Sequence, residues 1–177
     1  STKWMKGTVN SFYIGIIATF IATILGTMAA LGLSRPHMPY KALIMSILIS
    51  PMIVPLIITA AGMFFFYARI NLVYTFTGVI LAHVALATPF VVITVTATLV
   101  GFDMNMVKAA QSLGAKPMRT FFKVIMPLIL PGIISGALFA FITSFDEVVI
   151  VMFMASIDQL TIPKQMWAGI RQEISPV

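Results

Sequence analysis

Charge is what this sequence has least of. Only 9% of its 177 residues are Asp, Glu, Lys or Arg, against about 25% in an ordinary soluble domain. Eleven bases and five acids cannot cover a globule of this size with a solvated surface. A soluble enzyme is therefore excluded by composition. Cysteine is absent altogether. That excludes disulfides, thiolate metal sites and a cysteine nucleophile, but says little about compartment. No His, Asp and Glu residues cluster at metal-ligand spacing. No glycine-rich phosphate loop with its lysine is present, so the chain is not expected to bind ATP itself.

Apolar residues fill the space that charge leaves. They make up 60% of the chain, and mean hydropathy is +1.05. Four runs carry no Asp, Glu, Lys or Arg: Thr8 to Leu33, Ala42 to Ala68, Ile70 to Phe102, and Val124 to Phe145. A helix needs about 20 apolar residues to cross a hydrocarbon core, and each run is long enough. The expected fold is all-α, a polytopic transmembrane helical bundle. Its spans are expected at about 9–33, 42–66, 77–100 and 124–153, with a polar loop at 101–123. Thirteen methionines spread over the spans read as adaptable packing. The first apolar run is too long for a signal-peptide core. A start at Ser1 and an end at Ser175-Pro176-Val177 read as a piece of a longer chain.

Small residues in the first span, Gly15, Gly26, Ala29, Ala30 and Gly32, let helices approach closely. Prolines at 51, 55 and 89 are expected to kink their spans and free backbone carbonyls. The bases lie between the spans, which is membrane-flanking charge rather than a nucleic-acid patch. If the 101–123 loop is cytoplasmic, so is the 34–41 turn. Six bases then lie inside and five outside, a margin of one.

The polar loop carries the most information. Asp103 can cap a short helix from Met104 to about Leu113. Gly114 suits the left-handed position after it, and Pro117 suits the first turn of the next helix. Met106, Ala109, Ala110 and Leu113 share one face at helical spacing. Two small alanines make that face shallow. It suits another protein's groove, or it packs on its own bundle or on headgroups.

Lys108-Ala109-Ala110-Gln111-Ser112-Leu113-Gly114, nine further residues, then Val124-Ile125-Met126-Pro127 resembles the EAA loop of ABC-importer permeases. That pattern is Glu-Ala-Ala, three residues, Gly, nine residues, then Ile, any residue, Leu-Pro. Both alanines, the glycine, the gap and the proline match, while Lys108 replaces the glutamate. Thr88-Pro89-Phe90-Val91-Val92, Gly101-Phe102-Asp103, Ser144-Phe145-Asp146-Glu147, Leu160-Thr161-Ile162-Pro163, Ile170-Arg171 and Ser175-Pro176 resemble the spermidine/putrescine branch.

The resemblance implies the type I importer permease core and a multi-pass subunit of the bacterial inner membrane. In that family a permease usually has six spans; the four here match spans two to five. The implied partners are a second permease subunit, a cytoplasmic ATPase dimer and an extracytoplasmic substrate-binding protein. ATP and Mg would be bound by the ATPase, and this chain would be no enzyme. Asp103, Lys108, Ala109, Ala110, Leu113, Gly114 and Pro127 would form the ATPase-coupling site. Asp146 and Glu147 are the only acids within an apolar span. A charge at bilayer depth costs about 2.5–3.5 kcal/mol, so they read as the lining of a path for a cationic solute such as a polyamine. They also read as interfacial, or as paired with a partner's base. A permease for another small solute, an ion-coupled secondary transporter and a membrane scaffold remain the rival classes.

Overall fold

The computed structural model describes residues 2–35 and 38–173. Pro36 and His37 of the first turn, and Ser175-Pro176, lie outside the described residues. Helix α1 runs Thr2–Leu33, α2 Lys41–Ile53, α3 Leu56–Arg69 and α4 Phe76–Val100. The loop helices α5 (Met104–Ser112) and α6 (Pro117–Thr120) follow. A widened π turn at Phe121–Ile125 leads into α7 (Met126–Phe145), then α8 (Val149–Met154) and α9 (Ile162–Glu173). No strand is found among the described residues.

Three helices are long and apolar enough to span a membrane: α1, α4, and the continuous run Pro117–Phe145. They pack mutually and form the core, with α4 between the other two. Buried side chains run the length of α4, including Val79, Leu86, Val91 and Val95. Glycines set the spacing. A Cβ on Gly26 of α1 would lie 2.6 Å from the Val91 Cβ, and one on Gly136 of α7 would lie 2.9 Å from the Val91 Cα. Val91 is thus held between two glycines on neighbouring helices. Dispersion and shape, rather than hydrophobic burial, favour such contacts in lipid. One buried polar pair crosses the core: His83 Nδ1 of α4 and Ser144 Oγ of α7 lie 2.8 Å apart. The His83 side chain is therefore a hydrogen-bonded bundle histidine.

The expected second span is not one helix. The chain bends by 106° between α2 and α3, so the pair counts as a fourth crossing only if taken together. The two prolines act differently. Pro51 lacks the N–H that would serve the Ile47 carbonyl, but Ser50 Oγ donates to that carbonyl at 2.7 Å. The helix continues through Pro51, as α7 continues through Pro131. Before Pro55 stands Val54. It turns extended at ψ 134°, as a residue before proline prefers, and the helix ends. Pro89 leaves α4 unbroken.

The fourth expected span also differs. Its helix begins early, at Pro117, and stops at Phe145 rather than reaching Phe153. Asp146, Glu147 and Val148 form a non-helical turn before α8. At the far end of the bundle, residues 156–165 are tied to α1. Asn10 Nδ2 donates to Asp158 O (2.7 Å) and Leu160 O (3.0 Å). The Ile162 N–H donates to Ser11 Oγ (2.9 Å) and Gln165 Nε2 to Lys3 O (2.6 Å). On α9, Met166 and Trp167 face outward, where an aromatic ring suits a membrane interface.

Candidate functional site

Two places concentrate the expected functional residues, and they lie at different depths of the bundle. The first is the loop after α4. Asp103 is extended, and its carboxylate accepts the Asn105 N–H at 2.9 Å. This is a side-chain cap on one of the orphan donors of α5. The helix closes with two bonds, from Ala115 N–H to Ala110 O (3.0 Å) and from Gly114 N–H to Gln111 O (2.9 Å). That pair is a Schellman motif. It requires Gly114 at φ 79°, a conformation that side chains strain. Pro117 then opens α6 at its first position, where its missing N–H costs nothing.

The apolar face of α5 does not pack on the bundle. No described residue of the helix is buried. Met106 is 50% exposed and Leu113 88% exposed. Ala109 and Lys108 are exposed and Ala110 half-buried. The helix packs chiefly on α6 and the π turn. A cleft of about 350 Å³ opens beside it, lined by Ala110, Leu113, Gly114, Arg119 and Lys123 among others. Pro127 lies exposed at the start of α7. Just before it, the Met126 N–H reaches back five residues to Phe121 O. The π turn and the proline together loosen the backbone ladder where the loop joins the span.

The second place is the turn between α7 and α8. Glu147 is 6% exposed, and its Oε1 accepts the Ile150 N–H at 2.8 Å, capping α8. Asp146, its neighbour, is exposed. A cavity of about 370 Å³ reaches Glu147 and is lined by Pro51, Val54, Pro55, Leu86 and Phe90 among others. Leu86 and Phe90 lie at the middle of α4, and Val54-Pro55 at the middle of the bent pair. The cavity therefore lies beside the middle of α4 and the break of the bent pair. Two interrupted helices, α2–α3 and α7–α8, present their breaks to it. Irregular backbone at membrane depth is tolerated where it lines a cavity or is covered by protein.

Some contributors carried a readable signal that the span-by-span reading passed over. Ser156-Ile157-Asp158-Gln159 is a capping-box spacing, and both reciprocal bonds form. Thr75 caps α4 by accepting the Gly78 N–H at 3.0 Å. Asn10 and Ser11, which hold residues 158–162, carry no such signal. Their partners lie about 150 residues away.

Residues 22–176 match the family described as binding-protein-dependent transport system inner membrane component. The spermidine/putrescine transport system permease protein PotC of Haemophilus influenzae is 30% identical over 172 residues, 97% of this chain and 67% of that protein. The trehalose transport system permease protein SugB of Mycobacterium tuberculosis is 32% identical over 148 residues, 84% of this chain and 54% of that protein. Among solved structures, a bacterial ABC transporter involved in the import of the acidic polysaccharide alginate aligns over the whole chain and 61% of its own, with TM-score 0.76 and 15% identity. The chain thus spans roughly two thirds or less of these proteins. Its core of apolar helices and the match over most of its length make it a member of the binding-protein-dependent transport system inner membrane component family.

Proposed function

We propose that this chain is the membrane-spanning part of a permease subunit in an ATP-driven importer, and that it moves a small cationic solute, a polyamine such as spermidine or putrescine, by alternating access. A second permease chain completes the pore. A cytoplasmic ATPase dimer, which binds ATP and Mg, docks on the 101–123 loop, and an extracytoplasmic binding protein delivers the solute. The observation that carries this reading is the outward-turned apolar face of α5, closed by the rigid turn at Gly114. A helix that merely covered its own bundle would turn that face inward.

The substrate class rests on Glu147. A carboxylate in a cavity beside the middle of α4 suits a cation entering from water, and PotC is named for spermidine and putrescine. Force from the ATPase would enter through α5 and pass to α7 through the π turn and Pro127. The test is Gly114→Trp and Ala110→Trp in the assembled transporter. Both are expected to release the ATPase and abolish ATP-driven uptake, while the permease still inserts. Full ATPase retention and uptake in both would sink the coupling reading. Competition of uptake by spermidine and putrescine, with trehalose as the uncharged comparison, tests the substrate class. Inhibition by trehalose alone would replace it with a sugar.

A further inference from the structure

The loop that presents α5 is also the most one-sidedly charged part of the molecule. Lys108, Lys116, Arg119 and Lys123 are all exposed. Asp103 is the one acid between Gly101 and Phe145, and its carboxylate is already engaged by the Asn105 N–H. Arg119 and Lys123 line the cleft between α5 and the following helix, together with Ala110, Leu113 and Gly114. Apolar and cationic side chains therefore share one lining. Leu113 and Met118, 88% and 70% exposed, stand beside the bases.

We propose that the partner protein seated on this loop meets it with acidic side chains, at least one of which enters the cleft lined by Arg119, Lys123 and Gly114. The inference rests on the coupling-loop reading and names the chemistry of the partner's surface. Interleaved apolar and cationic groups fit a protein groove, in which a carboxylate can take paired hydrogen bonds from an arginine fork. Helix α5 carries Lys108 clear of the three-helix core, since it packs chiefly on α6 and the π turn. Arg119 and Lys123 lie at the start of the span Pro117–Phe145, so lipid phosphate is the competing occupant that the nanodisc arms of the test distinguish. Complementary charge of this kind sets orientation and encounter rate, while the apolar contact holds the complex.

The test uses the permease complex purified with its own ATPase in lipid nanodiscs. Zero-length carbodiimide cross-linking is expected to join Lys123 or Lys116 to an aspartate or glutamate of the ATPase, read by mass spectrometry. The double variant Arg119→Glu/Lys123→Glu is expected to lower ATPase retention at least tenfold at low salt. The neutral pair Arg119→Gln/Lys123→Gln, which guards against misfolding by charge reversal, is expected to flatten the salt dependence of retention. Gly114→Trp separates the two readings. If Gly114→Trp releases the ATPase and neither charge variant does, docking stands and the acidic partner surface is overturned. If none of the three releases it, the coupling-loop reading itself falls. If the charge variants act only in nanodiscs containing phosphatidylglycerol, and not in phosphatidylcholine alone, the bases serve lipid and the proposal is overturned.

Discussion

The bond that Glu147 makes to α8 and the solute contact proposed for it can be separated by substitution. Its Oε1 holds the Ile150 N–H, and the residue lines the cavity with Pro51, Pro55 and Phe90. Glu147→Gln keeps an oxygen acceptor and the side-chain shape but removes the charge. Uptake of radiolabelled putrescine is expected to fall at least tenfold, with the amount of inserted protein unchanged. Glu147→Ala also removes the acceptor. It leaves an N–H of α8 without its partner, a loss of about 1.5–3 kcal/mol for a hydrogen bond to a charged group, and the folded yield should drop. Asp146 is exposed and is not among the residues lining that cavity, so Asp146→Asn is expected to lower uptake less than Glu147→Gln does. Wild-type uptake by Glu147→Gln would remove the acidic cavity from the mechanism. The two acids are adjacent in sequence and look alike there. The turn that ends α7 buries Glu147 beside the cavity and leaves Asp146 exposed.

At the scale of elements, close packing of α1, α4 and α7 depends on absent side chains. A methyl group on Gly136 would press on the Val91 Cα, a backbone atom that cannot swing away. Gly136→Ala is therefore expected to force α7 off α4 and destabilise the bundle by about 1–3 kcal/mol, the usual cost of overpacking. Gly32 has open space around it, so Gly32→Ala should lie within about 0.5 kcal/mol. Unfolding of the detergent-solubilised protein in increasing denaturant measures both, and equal midpoints would refute the packing argument. Much of this layer was legible beforehand. The charge-free runs fall on α1, the bent pair, α4 and α7, and Asp103, Gly114 and Pro117 marked the loop helices because caps and left-handed turns have local chemistry. The breaks were less legible. Pro51 and Pro55 carry the same intrinsic defect, yet α2 runs through the first and ends before the second. The end of α7 at Phe145 had no proline or glycine to announce it. The tie between Ser11 and Ile162 is set by tertiary contact alone.

The whole molecule has two unlike ends, and the direction of transport depends on which one faces the cytoplasm. Sequence charge favours the loop end by six bases to five, too small a margin to fix orientation by the positive-inside rule. The fold groups the residues more sharply. Leu31, Ser34 and Arg35 share a cavity with Leu99, Phe102 and Phe121, so the first turn and the α5 loop lie at one end. The start of α1 and residues 158–165 lie together at the other, joined by Asn10, Ser11 and Gln165. A chain without cysteine makes the two ends separately addressable. Gln111→Cys marks the loop end and is exposed. Ile157→Cys marks the opposite end and is 85% exposed. In intact bacterial cells whose outer membrane has been made permeable, a membrane-impermeant maleimide is expected to label Ile157→Cys. Gln111→Cys should react only after the inner membrane is opened. The reverse pattern would put the loop outside, beyond reach of a cytoplasmic ATPase. It would leave the cationic cleft beside Gly114 facing the compartment where no ATP-driven partner could use it.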